Sequence, residues 1–174
     1  MTSVEVPSGV TIEIKDGTIT VKGSAGANTR RFNDAMLKVS KEGANVNIEA
    51  VMGTPLARKA VKAEGALAKE IRNDIAGAQK PFEINMQTVS AHFPMALEVK
   101  GDTLIIKNVL GERAPRKAHI VGHTKVEAKG QAVRIHGPSH DDVSQTAANI
   151  RMACRVRRKD TRVFQDGIYY ALEA

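Results

Sequence analysis

The chain has one cysteine, Cys154, no tryptophan, and only four phenylalanines and two tyrosines. A single thiol excludes an intrachain disulfide and fits a reducing compartment. It also leaves any metal site to histidine and carboxylate. Among the five histidines, His119 and His123 stand four apart, a spacing that suits zinc on a helix. The stretch between them is β-branched, contains Gly122 and lacks the glutamate such a site uses, so no metal or other cofactor is expected. His136 and His140 flank a Gly-Pro turn and read as ordinary histidines. Scarce rings argue against a reader of single-stranded nucleic acid, which stacks bases on several exposed aromatics. Phe82, Phe164 and Tyr169 lie in apolar contexts suited to a core. No apolar run approaches the roughly 18 residues of a membrane-spanning helix. The opening Met-Thr-Ser-Val-Glu-Val-Pro resembles neither a signal nor a transit peptide, so a soluble, unexported protein without a membrane partner is expected. Nucleophile elbows, phosphate-cradling glycine loops and dinucleotide fingerprints are missing too. Asp141-Asp142 reads as the negative start of a helix rather than a catalytic pair. The chain is not expected to be an enzyme.

Positive charge is plentiful. Twenty-six Lys and Arg against 19 Asp and Glu leave +7 and a pI near 9.7, which points to a polyanionic partner. Divided at residue 87, the halves carry +2 and +5. Between Arg151 and Arg162 six basic residues (Arg151, Arg155, Arg157, Arg158, Lys159, Arg162) meet one acid, Asp160. Five of the six are arginine, whose planar fork matches phosphate oxygens. The cluster runs into Phe164, Ile168 and Tyr169, which can be buried while Asp166-Gly167 turns the chain, so the arginines should hang from a fixed backbone. Gly111-Glu112-Arg113-Ala114-Pro115-Arg116-Lys117 offers a second group of cations, Arg113, Arg116 and Lys117, on a proline-stiffened connector. With few rings available, the expected contacts are to phosphates and sugars of structured nucleic acid, governed by shape and charge.

Period-two alternation marks Val10 to Ile14 and Thr18 to Lys22 as strands joined by a hairpin at Asp16-Gly17. Further short strands are read at Thr29 to Phe32, Met36 to Val39 and Asn45 to Val51. Leu56, Ala60, Ala63, Leu67, Ile71 and Ile75 then recur at spacings of three and four, a helix started by Thr54 and Pro55 and ended by Gly77. From Phe82 the plan repeats, with strands to His136 and a second helix behind Ser139-His140-Asp141-Asp142 whose apolar face carries Val143, Ala147, Ile150 and Cys154. A shift of 85 pairs Lys15 with Lys100, Thr18 with Thr103, Lys22 with Lys107, Gly26 with Gly111 and Arg31 with Arg116. Slightly different shifts pair Gly43 with Gly130 and Ile48 with Ile135. The expected fold is α+β, a tandem duplication of a small antiparallel sheet unit with one helix per copy, residues 1–80 and 81–174.

The segment Arg162-Val163-Phe164-Gln165-Asp166-Gly167-Ile168-Tyr169 resembles the C-terminal signature of ribosomal large-subunit protein six in its archaeal and eukaryotic branch. Gln145 to Ile150, Ser90 to Met95 and Leu110 to Arg116 resemble archaeal members as well. The resemblance implies a duplicated fold like the one just read. It also implies a structural protein whose second copy grips large-subunit ribosomal RNA near the stalk base, close to where translation factors act. By position, Arg155, Arg157, Arg158, Lys159 and Arg162 would meet RNA backbone, while Phe164, Asp166, Gly167 and Tyr169 would hold the loop in shape; Arg113, Arg116 and Lys117 are expected to meet it on charge alone. Implied partners are ribosomal RNA and neighbouring ribosomal proteins, with the chain a monomer inside a cytoplasmic ribosome. Two departures stand out. The chain ends in Tyr170-Ala171-Leu172-Glu173-Ala174 where many relatives place a basic residue, and Thr161 stands where archaeal relatives often have proline. The rival readings are a protein-interaction module, chiefly for the first copy, whose +2 shows no evident RNA face, or a module for structured RNA outside the ribosome. An enzyme would need His119, His123 and a carboxylate to converge.

Overall fold

Only Val4 of the polar segment Thr2–Glu5 reaches the interior, and this segment forms β1, a strand the hydrophobic pattern does not announce. The hairpin at Asp16-Gly17 joins β2 (Thr11–Lys15) to β3 (Thr18–Lys22), pairing Thr11 with Lys22 and Lys15 with Thr18. Both turn residues take positive φ, 43° and 69°, as a primed two-residue turn demands. β4 (Ala27–Arg31) completes that sheet, while β5 (Leu37–Glu42) and β6 (Asn45–Ala50) join β1 in a second three-stranded sheet of order β1-β6-β5. α1 (Ala57–Gln79) packs Leu67, Ile71 and Ile75 on Ile19, Val21, Val46 and Ile48, so one helix closes both sheets into a core. Gly77, expected to end this helix, is buried inside its last turn. The helix stops instead at Lys80, whose extended backbone is what a following proline imposes. The computed structural model describes residues 2–53, 56–91 and 93–171, so the expected start signals Thr54 and Pro55 lie outside the described residues.

The chain divides into two units, Met1–Pro81 and Phe82–Ala174. In the second, β7 (Phe82–Val89) is followed by β8 (Ala96–Lys100), β9 (Thr103–Lys107) and β10 (Arg116–His119), which form one sheet of order β10-β9-β8. β11 (Lys125–Lys129) and β12 (Ala132–Gly137) pair beside β7. α2 (His140–Ala153) starts at Ser139, whose hydroxyl accepts the Asp142 N–H at 3.3 Å, and buries Val143, Ala147 and Ile150 against Met86, Leu104, Ile106, Val133 and Ile135. The antiparallel sheets and the single helix of each unit make this the duplicated α+β fold.

The two copies keep register through their first hairpins and then part. Ala96 pairs with Lys107 as Thr11 pairs with Lys22, a shift of 85. The third strand does not follow: Asn28 pairs with Val21, but Arg116 pairs with Ile106, so Arg116 occupies the place of Asn28 rather than of Arg31. The expected pairings of Gly26 with Gly111 and Arg31 with Arg116 are therefore corrected. The cause is a 3-10 turn at Val109–Gly111 that tucks Val109 into the core and lengthens the connector. The larger difference is at the end of the chain. β13 (Gly167–Tyr170) adds antiparallel to β7, extending the second unit's sheet to β11-β12-β7-β13, while the matching sheet of the first unit has three strands among the described residues.

Candidate nucleic-acid interface

The basic stretch begins in the last turn of α2, and the segment carrying it runs on into β13, so both ends of that segment are held. At the helix end, Arg116 reaches from β10 to the chain leaving α2. Its Nη1 donates to the carbonyls of Ala153 and Arg155 at 3.0 and 3.1 Å, while Nε and Nη2 donate to both oxygens of Glu112 at 2.8 and 2.6 Å. A helix ends with carbonyls that lack intrahelical donors, and here a guanidinium supplies one. The paired Arg116 holds the Glu112 carboxyl below the usual carboxylate range, and Glu112 in turn raises the Arg116 pKa. Arg116, expected to meet RNA, thus spends its donors within the protein.

At the strand end, Ile168 is buried and Asp166 is 1% exposed, with Oδ1 accepting the Ala91 N–H at 2.8 Å. Asp166 and Gly167 do not form the expected turn. Gly167 opens β13 paired with Val89; its backbone is not left-handed, and a Cβ there would lie 3.1 Å from the Tyr169 ring, so the glycine lets that ring sit closely over the strand. Tyr169 is exposed at its edge, contrary to its reading as core, and its hydroxyl donates to the Gln165 carbonyl at 3.2 Å. Phe164 is half-buried, and the Lys159 ammonium lies 4.5 Å above its ring.

Between these anchors Asp160, the loop's only acid, organises the backbone. Its carboxylate accepts the Arg162 N–H at 2.9 Å and its carbonyl accepts those of Val163 and Phe164 at 3.2 and 2.9 Å. This is an Asx-turn, and Asp followed by Thr-Arg was the signal in the sequence that could have disclosed it. Arg158 takes φ 59°, a left-handed conformation uncommon outside glycine, which sends the chain sharply over at the crest of the loop. Arg155, Arg157, Arg158, Lys159 and Arg162 are exposed, as are Arg113 and Lys117, and none forms an ion pair among the described residues. Seven cations therefore face water without a neutralising partner.

Two grooves adjoin the loop. One, of about 530 Å³, has Arg116, Arg155, Arg157 and Lys159 on its walls, and the other, of about 550 Å³, is lined by Arg151, Met152, Phe164, Tyr169 and Tyr170. Arg151 lies 5.9 Å from the Tyr170 ring, a contact sequence reasoning missed because both side chains look unremarkable in their own segments. Cys154 is buried at the base of the loop, and burial pushes its thiol up to about 11 despite the opposing Arg116 charge. His119 and His123 are both exposed, and no three His, Cys, Asp or Glu side chains among the described residues converge as a metal site would require.

In class this is a duplicated α+β protein whose second copy presents an exposed arginine loop anchored at both ends. A model of the family described as ribosomal protein L6 matches residues 93–167, a span that ends on Gly167 and includes the whole loop. The chain is 41% identical to the large ribosomal subunit protein uL6 of Methanocella arvoryzae over 172 residues, 98% of this chain and 96% of the relative. It is 40% identical to that of Methanosarcina mazei over 174 residues (99% and 96%) and 39% identical to that of Thermoplasma acidophilum over 167 residues (96% and 92%). The chain belongs to the large ribosomal subunit protein uL6 family, a family of structural proteins and not of enzymes.

Proposed function

We propose that this protein is a ribosome-bound cytoplasmic component of the large subunit that clamps large-subunit ribosomal RNA through the phosphate backbone. The proposed location, from the family resemblance, is near the stalk base and factor-binding region, with neighbouring ribosomal proteins as further partners. The observation that carries the clamp is the loop itself: five exposed cations from Arg155 to Arg162, none ion-paired among the described residues, on a backbone tied down by Arg116, Asp160 and Asp166. A preorganised loop loses little entropy on binding, so its Coulombic attraction is not consumed by ordering. Arg113 and Lys117 extend the charge, whereas Arg116 serves from behind as a positioning residue.

Counterion release makes such binding steeply salt-dependent. With four or five phosphates touched, the loop should contribute about −3 to −4 to the slope with which the full chain's log affinity for deproteinised large-subunit RNA falls with log salt. Replacing Arg157 and Arg158 together by Ala should weaken binding alike on unrelated structured RNAs and flatten the slope by about 1.4–1.8. Binding that ignores salt, or a slope untouched by the double substitution, overturns the clamp.

A further inference from the structure

By formal charge the first unit has little to offer a polyanion, and α1 holds three acids, Glu64, Glu70 and Asp74, against five bases, Arg58, Lys59, Lys62, Lys69 and Arg72. The structure separates the two signs. Asp74 is 2% exposed and accepts from Arg30 Nε at 2.7 Å, from Arg30 Nη2 at 3.0 Å and from Asn28 Nδ2 at 3.3 Å. Glu64 is 8% exposed and accepts the Thr2 hydroxyl at 2.7 Å and the Ala50 N–H at 3.3 Å. Thr2's hydrogen bond is the largest cause of its lowered pKa. Glu70 pairs with Arg30 at 3.2 Å. Asp74 and Glu64 are thus turned toward their own sheets and satisfied there, and Glu70, its side chain 43% exposed, lies off the outer face and reaches Arg30 of β4.

The bases are turned the other way. At 100° per residue, Arg58, Lys62, Lys69 and Arg72 fall within a sector of about 80° on the side opposite Leu67 and Ile71, forming a stripe roughly 21 Å long. All four are exposed and none is ion-paired among the described residues. Gly65 lies in the middle of the stripe with nothing within 4 Å of where its Cβ would be, and Ala76 continues the line, so a backbone can approach closely between the cations. A face serving only solubility would intersperse both signs. This one has been purged of acid.

We infer that the outer face of α1 is a second phosphate-binding surface that takes the backbone of a structured ribosomal RNA segment, giving the first unit the RNA face its net charge hides. The inference rests on the RNA-clamping reading above but concerns a different surface. It goes beyond the C-terminal loop because two cationic faces on one chain bind a polyanion with additive counterion release.

The test uses the full chain and deproteinised large-subunit RNA across a salt series, comparing wild type, Arg58→Gln/Lys62→Gln/Lys69→Gln/Arg72→Gln, the Arg157→Ala/Arg158→Ala loop variant, and their combination. All substituted side chains are exposed, and unchanged thermal unfolding confirms the fold, with the milder Lys62→Gln/Lys69→Gln pair as backup. The α1 variant should flatten the salt slope by about 3 and blunt the loss over a fourfold salt rise by on the order of 50-fold, additively with the loop variant. A slope changed by the loop variant but not by the α1 variant overturns this inference and leaves the loop clamp standing. The reverse pattern overturns the loop clamp alone. If RNA binding is unaffected by the α1 variant while a protein partner is lost from reconstituted subunits, the stripe is a protein-docking surface and the inference is again overturned.

Discussion

Asp166 and Gly167 have the local chemistry of a turn, yet tertiary contacts give each another task. The carboxylate is drawn inward to an N–H 75 positions away, and the glycine makes space for a tyrosine ring. Neither role leaves a periodic trace along the chain. Cys154 was easier to place, since its spacing from Ile150 and Ala147 put it on the apolar face, where it is 2% exposed. Its folded pKa of about 11 lies above the ordinary 9.0, because burial penalises the thiolate. The folded state therefore resists ionisation, and the stability linked to this thiol is fully present below about pH 9 and lost as pH rises toward 11. Denaturant melts should show wild type losing more stability than Cys154→Ala between those pH values. A thiol reagent at neutral pH should label Cys154 only on unfolding; rapid labelling of the native chain contradicts this account.

The segment joining α2 to β13 was visible as a cationic run, because arginine density needs no structure to be counted. A fixed backbone was expected as well, but not the contacts that fix it. Thr161 does not fix φ as a proline would, and the Asp160 Asx-turn and the Arg116 hydrogen bonds restrain the backbone on either side of the crest. Arg116 also shows how a repeat can mislead: it stands in the register position of Asn28, which tethers its strand to α1 through Asp74 as Arg116 tethers its own to the end of α2. Charge-assisted hydrogen bonds of this kind contribute about 1.5–3 kcal/mol each, less where water competes. Arg116→Ala should accordingly lower stability by about 1–3 kcal/mol in a denaturant melt. RNA affinity should fall as the loop loosens, with the salt slope almost unchanged. A slope flattened by a full contact would make Arg116 a direct phosphate ligand instead.

Each unit encloses its own buried cluster, around Ile71 and Ile48 in one and Ile150 and Ile135 in the other. A fragment of residues 82–174 should therefore unfold cooperatively by itself and keep the loop's share of RNA affinity, though a chain of this size buries only about 60–65% of its unfolded surface and melts at modest temperature. Non-cooperative melting would show that the second core is not self-sufficient. Hydrophobic periodicity, hairpin glycines and helix caps act over a few neighbours, which is why strands, helices, the duplication and the arginine run could be read from residue order. The added β13, the three-residue slip of the third strand and the clamp at Arg116 required contacts between distant segments. So did the charge of α1: composition counts five bases and three acids, and only packing decides that the acids turn to the sheets while the bases meet solvent. Net charge is a sum over residues, but the field a partner meets depends on which of them burial and pairing have neutralised.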